Sequence, residues 1–121
     1  MTMESLARGR HAEDMAAEFL RNKGWTIVAR NFRVRGAELD IVGLDGPTLV
    51  FVEVKQRSNL EKGWPEEAVD QRKIAKLYLA ARFFLHSNAK HAHRDCRFDM
   101  IAIEGDGRDA SMRHWIDVAC R

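Results

Sequence analysis

Between Arg35 and Arg57 the chain reads RGAELDIVGLDGPTLVFVEVKQR, two apolar segments into which Glu38, Asp40, Glu53 and Lys55 are set. Hydrolysis of a phosphodiester calls for a metal ion that orients water and neutralises developing charge. Hard Mg²⁺ takes its ligands from a few carboxylate oxygens, with water and phosphate completing the shell. Asp40 and Glu53 offer such oxygens. A lysine two residues after one of them can orient or deprotonate the attacking water, or offset charge on the transferring phosphate. Lys55 holds that position. The same residues have a simpler account, because E-x-K on the solvated face of an antiparallel sheet is common and needs no metal. On this motif alone, surface ion pairing is the favoured reading, and Asp40 on the adjacent segment improves the case for chemistry.

Strand geometry is what would bring these groups together. Val50, Val52 and Val54 alternate with Phe51, Glu53 and Lys55, so a strand aims the valines at one face and Glu53 and Lys55 at the other. Glu38 and Asp40 share a face in the same way. The linker Leu44-Asp45-Gly46-Pro47 carries an Asp-Gly turn signal that folds the two segments into a hairpin, on which three carboxylates and an ammonium converge. Trp25 to Arg33, Ala37 to Leu44 and Thr48 to Arg57 read as three strands with short links, an antiparallel meander that can take helices on its faces.

Residues from about Ser5 to Lys23 read as a helix ending before Gly24. Glu13 lies on it at helical spacing with Ala16, Ala17 and Leu20, so its side chain borders the sheet-facing side. It is either a boundary residue whose carboxylate reaches water or a metal or substrate contact, and periodicity favours the first. Ser58 to Trp64 reads as a polar loop and Pro65-Glu66-Glu67 as the start of a second helix that runs to about His86. Its apolar face includes Ile74, Leu77, Tyr78, Ala81, Phe84 and Leu85. Ser87 to Asp95 lacks periodicity and reads as a mobile basic loop. Arg97 to Ile103 follows as a strand holding the unexpected Asp99, read as a structural acid for a neighbouring loop or helix end in preference to a catalytic one. Met112 to Val118 supplies a last short strand.

Hydrophobic residues make up 45% and charged residues 31% of the 121 residues. That composition suits one globular domain spanning residues 1–121. No apolar run approaches the ~20 residues that span a bilayer, and the N-terminal stretch lacks the apolar core of a secretory signal. A cytoplasmic protein without membrane contact is expected, with Cys96 and Cys120 reduced. A net charge of +2 does not by itself identify a nucleic-acid binder. Its distribution is more telling, because Arg30, Arg33, Arg35, Lys55, Arg57, Arg72, Lys73 and Lys76 bracket the hairpin acids. That pattern allows a positive rim, suited to phosphates, around an acidic centre, while a solvated face is the simpler account of each residue taken alone. His91 and His93 with Cys96 lack a fourth zinc ligand and read as loop residues. Trp25, Trp64 and Trp115 read as core or edge aromatics, Trp64 before Pro65 being placed to stack on a base.

The motifs Gly9-x-x-x-Glu13, Ala29-Arg30-Asn31-Phe32-Arg33, Glu38-Leu39-Asp40, Val50-Phe51-Val52-Glu53-Val54-Lys55, Pro65-Glu66-Glu67-Ala68-Val69, Lys73 and Arg97-Phe98-Asp99 cover most of the chain. Together they resemble the YraN family of small bacterial proteins and, more distantly, the PD-(D/E)XK nucleases, including archaeal Holliday-junction resolvases. One departure is local: Ala37 stands between Gly36 and Glu38, where the family pattern more often has glycine directly before the glutamate. The resemblance implies an α/β restriction-endonuclease-like core, a mixed central sheet with a three-strand meander flanked by helices, in the order α-β-β-β-α-β-β. It matches Asp40, Glu53 and Lys55 to the nuclease signature and Glu13 to a first-helix acid of the resolvase-like branch. It further implies a metal-dependent endonuclease, with Glu13, Asp40 and Glu53 holding Mg²⁺ or Mn²⁺ and Lys55 assisting the water. DNA, branched or single-stranded, would be the partner, contacted by Arg57, Lys73, Arg33 and Arg35, and a homodimer is compatible. Two other readings stay open: a nucleic-acid-binding module that keeps the core without cutting, and a protein-interaction domain whose acids form surface ion pairs.

Overall fold

The computed structural model of the protein describes residues 3–57, 71–105 and 110–118, with residues 3–10 and Arg57 described by backbone alone. Helix α1, Met3–Asn22, turns Ala12, Ala16, Ala17 and Leu20 inward, all of them buried. Three alanines in that stripe leave little side chain between helix backbone and sheet, so the two approach closely. The helix stops in a Schellman motif. Gly24, at φ 93°, places the Trp25 N–H on the Leu20 carbonyl at 3.1 Å and its own N–H on the Arg21 carbonyl at 2.9 Å.

Strands β1 (Thr26–Val34), β2 (Ala37–Asp45) and β3 (Thr48–Arg57) form the expected antiparallel meander. The β2–β3 turn differs by one residue from its sequence signal. Asp45 stays in the strand opposite Thr48, and the turn's central pair is Gly46-Pro47. Gly46 has φ 60° and proline cannot follow it into positive φ, which selects the type II′ hairpin turn. Helix α2 (Gln71–Ser87) then carries the chain across the sheet. Strand β4 (Cys96–Glu104) can therefore lie parallel to β3, and β5 (Ser111–Trp115) closes the sheet antiparallel to β4. The spatial order is β1-β2-β3-β4-β5. This is the mixed α/β sheet and the α-β-β-β-α-β-β order of a restriction-endonuclease-like core. The expected loop at Ser58 to Trp64 and the expected helix start at Pro65 lie outside the described residues.

Each face of the sheet packs one helix. Ile41, Val50, Val52, Ile101 and Ile103 meet the alanines of α1, while Phe51, Phe98 and Met100 meet Leu77, Ala81 and Phe84 of α2. The valine alternation in β3 thus holds, and it sends Glu53 to the α2 side. Simple alternation fails in β2, where Leu39 joins the α2-side cluster and Ile41 the α1-side cluster although two residues apart. The cause lies opposite, in β1. Asn31 takes φ 55°, so Arg30 turns to Asp14 of α1 at 2.7 Å while Phe32 stacks edge-on against Phe84 of α2. Asn tolerates this left-handed conformation better than most residues. Both strands therefore change face at the level of Asn31 and Asp40.

The segment between α2 and β4 is more built than its lack of periodicity suggests. Ala89–His91 forms a 3-10 turn, His91 is buried, and Arg94 donates to His91 Nδ1 at 3.0 Å and to the Pro47 carbonyl at 3.2 Å. Side-chain bonds to distant backbone leave no periodic trace, which is why the sequence reads as a loop. Among the described residues no helix is long and apolar enough to cross a membrane.

Candidate metal centre

Glu13 from α1 and Glu38 and Asp40 from β2 each bring a carboxylate oxygen within 4.8 Å of the others. The close seating of α1 on its alanines delivers Glu13, whose position is also fixed by a hydrogen bond from Asn31. Arg30 is spent on Asp14 at 2.7 Å and stands 3.9 Å from Glu13 Oε1. Burial pushes the Glu13 carboxyl above its usual range, and neighbouring Glu38 and Asp14 add to this against the opposing pull of Asn31 and Arg30.

Asp40 stands where the sheet divides. The β2–β3 ladder runs from Asp45↔Thr48 to Ile41↔Val52 and goes no further, while β2 continues on β1 and β3 continues on β4. Across this fork Asp40 Oδ2 accepts the Val54 N–H at 2.8 Å. Burial raises the Asp40 carboxyl to about 7, with the charges of Glu13, Glu53 and Glu38 adding to the shift and the Val54 bond opposing it. Three carboxylates within 4.8 Å of one another, with the charge of Glu53 also acting on Asp40, are costly without a cation.

Glu53 does not join the trio. It lies on the wall of the same cleft of about 560 Å³, which is also lined by Arg33, Glu38, Asp40, Lys73 and Lys76. Its Oε1 faces Lys73 at 2.5 Å and Lys55 at 3.6 Å. Its side chain is only 7% exposed, and Oε2, like Glu13 Oε1, is buried without a hydrogen-bond partner among the described residues. Arg33 pairs with Glu38 at 3.2 Å from an exposed position. Arg35 is exposed in the β1–β2 turn. Arg57 ends β3 opposite Glu104, its side chain outside the description.

Sequence alone ranks Glu38 below Asp40 and Glu53, yet the carboxylate group that closes to within 4.8 Å is completed by Glu38. Its signal was the Glu-x-Asp spacing. Asn31 entered only as part of the Ala29 to Arg33 motif, with no role attached, and the Val54 N–H carried no signal because it acts through backbone geometry. His91, His93 and Cys96 form no ligand group among the described residues. Asp99 is the structural acid anticipated. It accepts from Arg97 at 2.9 and 3.0 Å, from His114 at 2.8 Å and from the Asp117 N–H at 2.9 Å. Burial works against the charge on Asp99, but the His114, Arg97 and Asp117 bonds hold its carboxyl below the usual range.

An all-oxygen donor set, with two buried oxygens that lack a partner among the described residues, fits a hard divalent cation. Fold and cleft thus define a restriction-endonuclease-like α/β protein with carboxylates set in a divided sheet. The chain belongs to the family described as "Uncharacterised protein family UPF0102", the YraN family, whose match covers residues 12–103. A UPF0102 protein of Pseudomonas entomophila is 44% identical over 108 residues, covering 89% of this chain and 88% of the relative. One from Chlorobium limicola is 44% identical over 115 residues, covering 90% and 88%. Another, from Alcanivorax borkumensis, is 43% identical over 111 residues, covering 92% and 89%.

Proposed function

We propose that this UPF0102 protein is a cytoplasmic, divalent-metal-dependent endonuclease that hydrolyses phosphodiester bonds of DNA, branched or single-stranded. The observation that carries the reading is the approach of Glu13, Glu38 and Asp40 within 4.8 Å, beside a buried Glu53 oxygen that has no hydrogen-bond partner among the described residues. Glu13, Glu38 and Asp40 would hold Mg²⁺ or Mn²⁺, with Glu53 Oε2 the further donor. When bound, such an ion supplies charge neutralisation at the phosphate and a lowered pKa for water.

The chain's own groups do the rest. Lys55, 3.6 Å from Glu53 Oε1, is placed to hold the attacking water or to offset phosphate charge as the P–O bond breaks. Lys73 and Lys76 on α2 and Arg33 on β1 rim the cleft and bind the flanking phosphates, with Arg35 and Arg57 extending that surface. The Val54 N–H fixes one Asp40 oxygen and leaves the other free to turn into the cleft.

A second reading has its own support. Glu53 already meets two ammonium groups, an arrangement that suits a DNA-binding module with a silent nuclease core. Purified protein incubated with branched, single-stranded and duplex DNA and Mn²⁺ or Mg²⁺ separates the two. Cleavage that disappears in Asp40→Asn and Lys55→Ala supports the nuclease. Equal cleavage by all three proteins would mark a contaminant, and salt-dependent binding without cleavage on any substrate would select the silent module.

A further inference from the structure

Helix α2 meets the sheet through Leu77, Ala80, Ala81 and Phe84, all buried. Its opposite side carries Leu79, Arg82, Phe83 and His86, which at i, i+3, i+4 and i+7 form one stripe. Phe83 is 50% exposed and Leu79 39%, large apolar groups left facing water. With Leu85, and with Ala89 and Ala92 beyond the helix end, the stripe lines a hollow of about 740 Å³. Only Arg82 and His86 among these lining residues are charged or titratable. The hollow shares no lining residue with the acidic cleft.

The segment that builds it is basic. Between Asp70 and Asp95, residues 71–94 contain six lysines and arginines, three histidines and no aspartate or glutamate. Neither Arg82 nor His86 forms an ion pair among the described residues. They are not needed as helix caps either. Ser87 Oγ donates to the Phe83 carbonyl and Asn88 Nδ2 to the Phe84 carbonyl, each at 2.9 Å.

We propose that this hollow docks a short acidic segment of a partner protein bearing a large aliphatic or aromatic side chain. That side chain seats against Leu79, Phe83 and Leu85, and the segment's carboxylates meet Arg82 and His86 in charge-assisted hydrogen bonds. The chemistry disfavours the other occupants. A second copy related by a two-fold axis would set Arg82 and this basic segment against their own copies, with like charges opposed. A nucleic-acid strand would find only Arg82 and His86 as side-chain donors for a run of phosphates, over a floor that is otherwise apolar.

The inference is independent of the nuclease reading. It is tested by the fluorescence anisotropy of a short fluorescein-labelled peptide, rich in aspartate and ending in leucine and phenylalanine. Binding that weakens with salt, and at least about tenfold in Arg82→Glu and in Phe83→Ser, is expected. Replacing the peptide's aspartates by asparagine should abolish it, and Asp40→Asn should leave it intact. Thermal unfolding of the two surface variants at the wild-type temperature shows that the fold is retained. Equal binding by both variants, or by the asparagine peptide, overturns the proposal. So does a sedimenting dimer that Phe83→Ser dissolves, which would give the face to a second copy. Displacement of the peptide by oligothymidylate bound through Arg82 would give it to nucleic acid.

Discussion

Asp40 Oδ2 accepts the Val54 N–H at 2.8 Å, so a side chain occupies the first rung that the β2–β3 ladder leaves out. One carboxylate thereby clamps the fork in the sheet and faces the cleft that the fork opens. Its burial, and the acids around it, make the metal-free fold sensitive to pH.

Asp40 binds its proton more tightly in the folded chain, at about 7, than at its ordinary value of 3.8. Between those values the native state holds more protons than the unfolded one, so stability falls as pH rises through that window and stays low above it. The loss is on the order of a few kcal/mol. Mn²⁺ competes with the proton, so it should raise the unfolding temperature more at pH 8 than at pH 5.5. Asp40→Asn keeps an acceptor for Val54 and should flatten the pH dependence while losing most of the Mn²⁺ increment. Scanning calorimetry of both proteins, with and without Mn²⁺, checks this.

Glu38 and Glu53 make different demands on a cation. Glu38→Gln removes a carboxylate from the close trio and should weaken Mn²⁺ binding by at least about tenfold, read as free Mn²⁺ by electron paramagnetic resonance. Glu53→Gln also removes the partner of Lys73, so it should lower stability in the absence of metal as well. Unchanged Mn²⁺ affinity in Glu38→Gln would remove Glu38 from the ligand set.

Asn31 serves backbone and site together, through its φ of 55° and its bond to Glu13. Asn31→Ala should cost about 1–3 kcal/mol in urea unfolding, because alanine resists that conformation. Asn31→Gly should cost less. Both should loosen Glu13 and reduce the Mn²⁺ increment, and an increment kept by Asn31→Gly would mean that packing alone places Glu13.

Ala16 is fully buried where α1 meets the sheet. Ala16→Leu should destabilise by about 1–3 kcal/mol through overpacking. By lifting α1 it should also move Glu13 away from Asp40, visible as a smaller Mn²⁺ shift in the same unfolding experiment.

Asp99 satisfies Arg97, His114 and the Asp117 N–H from a fully buried position. Asp99→Ala strands those partners and should cost about 3–5 kcal/mol. Because its folded-state carboxyl lies below the ordinary value, its contribution is present above the unfolded value and lost as pH falls through the folded one. Asp99→Asn should therefore shrink the acid limb of the stability profile. The Mn²⁺ increment should remain in both variants.

Much of this was legible in the residues. The valine alternation of β3 fixed which face Glu53 takes, the helical stripe of α1 placed Glu13 at the sheet boundary, and short links required a meander. Less legible were the contacts that join distant segments. Nothing in Glu38-Leu39-Asp40 announces that Leu39 and Ile41 go to opposite faces, since that depends on Asn31 in another strand. The exposure of Tyr78 was hidden for a similar reason. Its spacing puts it on the apolar face of α2, and only the packed sheet shows that it stays half exposed although its ring lies 4.8 Å from that of Phe98.

By itself the sequence determined the local terms: the period of each element, the turn residues, and the donor atoms available at Glu13, Glu38, Asp40, Glu53 and Lys55. These follow from interactions within a few residues, where composition and spacing act directly. Only the tertiary structure decided which acids meet. The fork between β2 and β3, the close seating of α1 and the two lysines at Glu53 set carboxylates from separate segments at particular distances. Burial, set by the packed whole, then fixed how strongly each one holds its proton.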